Sequence, residues 1–272
     1  MSSTSNQHNK NSLSVIYSSA KTDTIHEIMK KADGQSLVIW DVDGVLLIGK
    51  DKIFHSENIH SGLNQEYVEY IKNKFHLTAE QSNKFLSQLL LQRPIQLVDK
   101  ALLSIMHELK SRYIKSIALT QFATGALGDI KSVADWRIDE LNQLGIKFDF
   151  AFTDLIQVKL DTLTTLKGNP PLYKHGVIFC ERYSKGEVLG AFLDIISWKP
   201  NSVIFIDDKL ECLEMVQGEL KIRNIDFIGL HYVAALDFPY EVDDKVVKFQ
   251  YDYAMQNGRW LNDQAAITAV GF

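Results

Sequence analysis

Asp41 and Asp43 stand two positions apart at the end of an apolar run, in "SLVIWDVDGVLLIG" (residues 36–49). A carboxylate is costly to bury without a partner, and a second one beside it adds repulsion. Another pair, Asp207 and Asp208, closes a second apolar run, "SVIFIDD". Thr120 closes a third, "SIALT", and Lys185 follows in "RYSKGEVL" at the expected start of a helix. Carboxylates gathered at one place raise one another's pKa, and a bound divalent cation removes that difficulty. Mg²⁺ suits one or two carboxylates, completed by water and phosphate oxygens. Beside such an ion Asp41 can stay ionised and act as a nucleophile, as carboxylates do in forming aspartyl-phosphate. Phosphoryl transfer asks chiefly for positioning and charge neutralisation. Thr120 can hydrogen-bond one phosphate oxygen, and Lys185 can hold another together with Asp41. Asp43 can protonate the leaving oxygen and later deprotonate the attacking water. Gly44 suits a tight turn passing close to a ligand.

These roles require the ends of the apolar runs to meet. Short runs rich in β-branched residues fall at 37–40, 116–119, 177–180, 203–206 and 227–230. Continuous rather than alternating apolar character suits strands covered on both faces, as in parallel sheets. Helical periodicity lies between them, at 97–109, 130–144, 187–196 and 210–222. The alternation predicts a doubly wound α/β fold with a parallel sheet. In such sheets ligands bind outside the carboxyl ends of the strands, the edge on which these polar residues would lie.

Residues 1–20 read as a polar, poorly ordered tail. Residues 21–49 and 93–272 form the expected core, which opens with a helix over 22–31. The interval 50–92 is too long for a simple crossover and carries helical patterns at 65–75 and 78–91, so it is expected as a helical cap insertion. A smaller second insertion is expected over 153–175, turned by Gly168-Asn169-Pro170-Pro171. A last helix is expected over 244–256.

Composition narrows the classes. With 272 residues, 46% of them hydrophobic and 23% charged, the chain can bury a sizeable core. A formal net charge of −5 without clustered Lys or Arg argues against a nucleic-acid partner. Cys180 and Cys212 lack metal-ligand spacing and read as reduced thiols. No apolar stretch approaches a transmembrane span, and the polar first residues lack a signal-peptide layout. A cytoplasmic location is the expectation, with export that needs no cleaved signal left open. The scattered histidines, His175 and His231 among them, read as surface or packing residues. Trp136, Tyr251, Tyr253 and Trp260 read as packing aromatics rather than a base-stacking platform.

Taken together, "DVDGV" (41–45), "SIALT" with Thr120, Lys185, and "IFIDD" with Asp207 and Asp208 resemble the four ordered motifs of the haloacid dehalogenase superfamily. The likeness runs from about residue 36 to 235. "QRPIQLVDKALLSIMHELK", "LNQLGIKFDFAF", "GVIFCERYSKGEVLGAFLD", "VIFIDDKLECLEMV" and "GLHY" further resemble an uncharacterised branch found largely in bacteria that live inside host cells. The resemblance implies a Rossmann-like core with a cap. It implies Asp41 as nucleophile and metal ligand, and Asp43 as general acid/base whose backbone carbonyl also meets the metal. Thr120 and Lys185 would bind phosphate, Asp207 would be the acidic metal ligand, and Asp208 would support it. Dehalogenases of the superfamily lack the second aspartate and its ion pumps put Thr there, so Asp43 points to a phosphatase. One departure stands out: the branch carries a basic residue soon after the position of Thr120, where this chain has Gln121 and Phe122. Glu211 lies where some members carry a further acidic residue, and it reads equally as a solvated helix residue.

The resulting expectation is a Mg²⁺-dependent phosphomonoester hydrolase acting on a phosphorylated metabolite or phosphoprotein, phosphotyrosine included. The alternatives are a phosphotransferase or mutase, and a non-catalytic module that binds a protein partner. Taken singly, Thr120 also reads as an ordinary strand end and Lys185 as a solvated lysine. A cation at a helix start opposes the helix dipole, however, which favours a function for Lys185.

Overall fold

In a computed structural model, residues 13–164, 166 and 168–271 are described. The strands are β1 (Ser14–Ser19), β2 (Ser36–Trp40), β3 (Leu47–Gly49), β4 (Ile95–Leu97) and β5 (Lys115–Thr120), then β6 (Gln157–Lys159), β7 (Leu172–Lys174), β8 (Val177–Phe179), β9 (Ser202–Asp207) and β10 (Asp226–Tyr232). The helices are α1 (Thr22–Met29), α2 (Ser56–His60), α3 (Leu63–Lys74), α4 (Ala79–Gln92) and α5 (Ala101–Ser111), then α6 (Val133–Gln143), α7 (Lys185–Ile195), α8 (Leu210–Ile222), α9 (Asp244–Asn257) and α10 (Asp263–Val270). Eight strands form one sheet in the order β1-β10-β9-β2-β5-β8-β7-β6. It is parallel from β1 to β8, and β7 and β6 add an antiparallel margin.

Strand alternation explains why the central runs are apolar throughout. Leu37 and Ile39 join Val203, Phe205, Ile117 and Leu119 in a core covered by α7 and α8. Val38 and Trp40 point the other way, into a core with Ile25 and Met29 of α1 and Leu102 and Leu109 of α5. The buried Trp40 indole donates to Ser116 Oγ at 2.8 Å, so its one polar atom is satisfied. The register pairs Trp40 with Ile206 on one side and Ala118 on the other. Asp41, Asp207 and Thr120 are therefore delivered to the same edge.

Between β3 and β4, which pair antiparallel, the chain leaves the sheet for α2, α3 and α4. A third core holds this excursion: Phe54, Tyr67, Ile71, Phe85 and Leu89 pack on Tyr251, Ala254 and Trp260. The helices after residue 243 thus belong with the insertion and not, as the 93–272 boundary has it, with the sheet. Trp260 is the hinge-pin of that contact. Its ring lies 4.8 Å from Phe54 and 5.5 Å from Tyr251, and its Nε1 donates to buried Asp51 at 2.8 Å. Trp260→Ala is expected to cost about 3–5 kcal/mol, by cavity formation and by stripping a partner from Asp51. Urea unfolding checks this, and a loss below about 1 kcal/mol would show the contact to be peripheral.

Two other expectations change. The tail expected over 1–20 falls partly at residues 1–12, outside the described residues. Ser14–Ser19 is an edge strand, because Val15 and Ile16 pack against the two cores flanking the sheet. The 153–175 segment contributes β6 and β7 to the sheet rather than standing apart.

Candidate active site

Where β2 ends, Asp41 keeps the ladder by donating its backbone N–H to Ile206 at 2.9 Å, and its side chain is buried. The chain then turns sharply. Gly44 takes φ +84°, and its N–H is bound by the Leu47 carbonyl at 2.9 Å. A methyl group at Gly44 would overlap the Asp208 carboxylate, so glycine lets the turn lie directly against that side chain.

Lys185 is the first residue of α7. Ser184 caps the helix in a box with Glu187, which fixes where the helix begins. Gly186 allows α7 to sit against α8, since a Cβ there would come within 2.5 Å of the Met215 carbonyl. The result is a buried ammonium, 2.7 Å from Asp41 Oδ1 and 2.7 Å from Asp207 Oδ2. Burial opposes its charge, but Asp207 and Asp41 outweigh burial and raise its pKa well above the usual lysine value.

The acidic residues outnumber this cation. Oxygens of Asp41, Asp207 and Asp208 lie within 4.8 Å of one another, a set able to hold a metal ion. Burial, together with neighbouring Asp41, pushes Asp207 up to about 7; burial, Asp41 and Asp207 push Asp208 up to about 9. Asp207 Oδ1 accepts from the Lys209 N–H at 2.8 Å, whereas Asp208 Oδ1 is buried with no hydrogen-bond partner among the described residues. His60 Nδ1 is 3.8 Å from Asp208 Oδ2, and burial and Lys209 lower its pKa to about 4, leaving a neutral ring at ordinary pH. His231, expected as a surface or packing residue, binds the Asp208 carbonyl through Nε2 at 3.0 Å.

Asp43 lies at the same cleft, but its carboxylate is paired with the fully buried Arg137. Arg137 also binds Glu140 at 2.8 Å, and Glu140 binds Arg93 at 2.9 Å. Burial would raise the Asp43 pKa; Arg137 and Arg93 outweigh it and hold the value below the usual carboxylate range. Arg137, Glu140, Arg93 and His60 are not among the site residues expected from the sequence. A signal existed for two of them: Arg137 and Glu140 share the buried stripe of α6 with Val133, Ala134 and Leu141, where charged residues are out of place.

Asp41, Asp43, Thr120 and Lys185 line one cleft of about 570 Å³. Ile59 and His60 of the insertion, Phe122, Arg182, Lys209 and Met215 are among the other residues of its walls. Gln121 is turned aside, donating to the Glu181 and Tyr183 carbonyls. The Phe122 ring lies 4.5 Å from the Arg137 guanidinium, so a cation from α6 stands next to the position where the basic residue is lacking. Glu211 is exposed at the cleft mouth, in the first turn of α8.

An unfolded aspartate titrates at about 3.9, so the folded chain holds protons on Asp207 and Asp208 that the unfolded chain has lost. Their contribution to stability is fully present below about pH 4 and is lost as pH rises through about 7 and about 9. In chelator, the melting temperature is expected to fall between about pH 6 and about pH 9. Mg²⁺ is expected to raise it more at the higher value, because there fewer protons on Asp207 and Asp208 compete with the cation. Thermal melts with and without Mg²⁺ check this; a Mg²⁺ shift that is equal at both pH values, or absent, would contradict it.

Comparison with known proteins gives one family and a few relatives. The family model described as "Protein of unknown function (DUF2608)" matches residues 20–267. An uncharacterized protein of Rickettsia prowazekii (strain Madrid E) is 22% identical over 245 residues, covering 89% of this chain and 86% of the relative. Uncharacterized proteins of Rickettsia felis and Rickettsia conorii are 26% and 25% identical over 132 residues, 47% of this chain and 45% of each relative. No solved structure gives a significant match. Among the described residues no helix is long and apolar enough to cross a membrane.

Proposed function

The chain belongs to this family of unknown function, DUF2608, and we propose that it is a Mg²⁺-dependent phosphomonoester hydrolase of the haloacid dehalogenase type. The observation that carries this reading is the buried Lys185 ammonium bridging Asp41 and Asp207, with Asp208 beside them, at the carboxyl ends of adjacent parallel strands. A merely structural site would not gather three buried carboxylates around one cation, because the excess charge costs stability.

The donor set fits Mg²⁺. It is all oxygen, its three acids outnumber the one Lys185 ammonium by two, and Asp208 Oδ1 lacks a partner among the described residues. Asp41 and Asp207 would hold the ion, with Asp208 supporting. When bound, it neutralises phosphate charge and lets Asp41 approach as an anion.

The chain's own residues divide the remaining work. Lys185 and Thr120 orient the phosphoryl oxygens. An Asp41 carboxylate oxygen attacks phosphorus in line, so the Asp41–phosphorus bond forms while the bond to the ester oxygen breaks. Asp43, which Arg137 keeps ionised in the free site, takes up a proton as the phosphate anion arrives beside it and passes that proton to the ester oxygen. Water then attacks phospho-Asp41, Asp43 takes the water's proton, and phosphate and free Asp41 result. The helical insertion, which places Ile59 and His60 on the cleft wall, acts as a cap. Arg182 and Lys209 at the walls suit an anionic phosphorylated metabolite or a phosphorylated side chain, phosphotyrosine included.

The test is a phosphate-release screen over sugar phosphates, nucleotides, aryl phosphates and phosphopeptides, with water as the only acceptor. Release is expected to stop in chelator and return with excess Mg²⁺. Turnover that is unchanged in metal-free buffer, or no release from any substrate class, would overturn the reading.

A further inference from the structure

We propose that Arg137 is a positioning residue for Asp43, held in place by Glu140 and Arg93; this rests on the hydrolase reading above. Four charged side chains form a chain leading away from the cleft: Asp43, Arg137, Glu140 and Arg93. Arg137 is fully buried, and Arg93 and Glu140 nearly so. Such a network is a poor source of stability. Well-packed apolar residues in place of buried ion pairs are often neutral or stabilising. This network also leaves Arg137 Nε and Arg93 Nε buried without partners among the described residues, a further cost.

Geometry shows what the cost achieves. Of the four residues, Asp43 alone lines the cleft. Arg137 binds Asp43 Oδ2 through Nη2, and no partner among the described residues occupies Asp43 Oδ1. One carboxylate oxygen is fixed, and the other is free for the proton exchanged with the reacting oxygen. The guanidinium plane is itself set from three directions. Glu140 Oε2 accepts from Nη1 at 2.8 Å, the Phe122 ring lies 4.5 Å away, and the Trp136 ring 5.7 Å away. Glu140 is in turn gripped by both oxygens, at 3.1 and 2.9 Å, by Arg93 Nη2. Arg93 is the residue at which the insertion's α4 ends and the chain returns toward β4. Arg137 does not line the cleft, so it reaches the reaction only through Asp43.

Proton donation to a leaving oxygen matters most where that oxygen leaves poorly. The test therefore compares p-nitrophenyl phosphate, whose phenol leaves easily, with phenyl phosphate. Arg137→Met is expected to lower kcat/KM for phenyl phosphate by roughly 10²-fold, while p-nitrophenyl phosphate changes by less than about 5-fold. In an Asp43→Asn background, Arg137→Met is expected to add no further loss on either substrate, because the two act as one unit. Glu140→Gln, which loosens Arg137 without removing it, is expected to shift the same substrate ratio in the same direction, and it serves if Arg137→Met does not fold. Equal losses on both substrates, or losses that multiply with Asp43→Asn, would assign Arg137 a packing role and overturn the proposal alone. A wild-type chain that turns over neither substrate in Mg²⁺ would overturn the proposal together with the hydrolase reading.

Discussion

Asp41→Asn is expected to lower turnover by roughly 10⁴-fold or more, the scale seen when a covalent nucleophile is removed. The fold is expected to persist. The amide oxygen of the substituted side chain can still accept from Lys185, which keeps its 2.7 Å contact with Asp207. Loss of the charge on Asp41 also relieves Asp207 and Asp208, both of which it now helps to push upward. In chelator the variant should therefore melt at or above the wild-type temperature. Inactivity combined with undiminished stability separates a chemical role from a structural one. Steady-state assays and thermal melts on the same preparation check it, with mass spectrometry to exclude deamidation back to aspartate. Turnover close to wild type would remove Asp41 as the nucleophile.

Lys185→Met has the opposite profile. Its shape is nearly kept, but Asp41 and Asp207 are left buried without their cation. Breaking a buried pair from one side costs about 3–5 kcal/mol, because the stranded charge has nowhere to go. The loss is expected to be largest in chelator and at alkaline pH, and to shrink in Mg²⁺, which would take over the neutralisation. Adding Asp207→Asn to Lys185→Met is expected to recover part of the stability by removing one stranded carboxylate, so the two changes should not add. Urea unfolding of the single and double variants measures this. Additive losses would mean that Lys185 and Asp207 do not stabilise one another, contrary to their 2.7 Å contact.

Much of this site could be read from residue order alone. Apolar runs ending in Asp41, Thr120 and Asp207 were legible because a strand buried on both faces has no reason to be polar until it emerges. Lys185 was legible because Ser184 and Glu187 mark a helix start around it. What escaped was set by distant pairing. Ser14–Ser19 is polar enough to pass for a tail, and only its ladder with β10 makes it a strand. Leu172–Lys174 and Gln157–Lys159 are too short for a periodic signal and form by adding to an existing edge. Trp260 and Tyr251 advertise burial, but nothing in their neighbourhood says that the partner is Phe54 or Tyr67 in the insertion. The pairing of Arg137 with Asp43 is of the same kind. The buried stripe of α6 shows that a charge is misplaced, and only the fold shows where it goes.

The most direct test is to catch the covalent intermediate. The protein would be mixed with a turned-over phosphoester in Mg²⁺ and quenched in acid within a turnover. Intact-mass and peptide analysis then follow, with borohydride reduction to mark an acyl phosphate. One added phosphoryl group is expected, on the peptide carrying Asp41, and none in the Asp41→Asn protein. A phosphoryl group on any other residue, or rapid turnover with no acid-stable acyl phosphate trapped at any quench time, would contradict it.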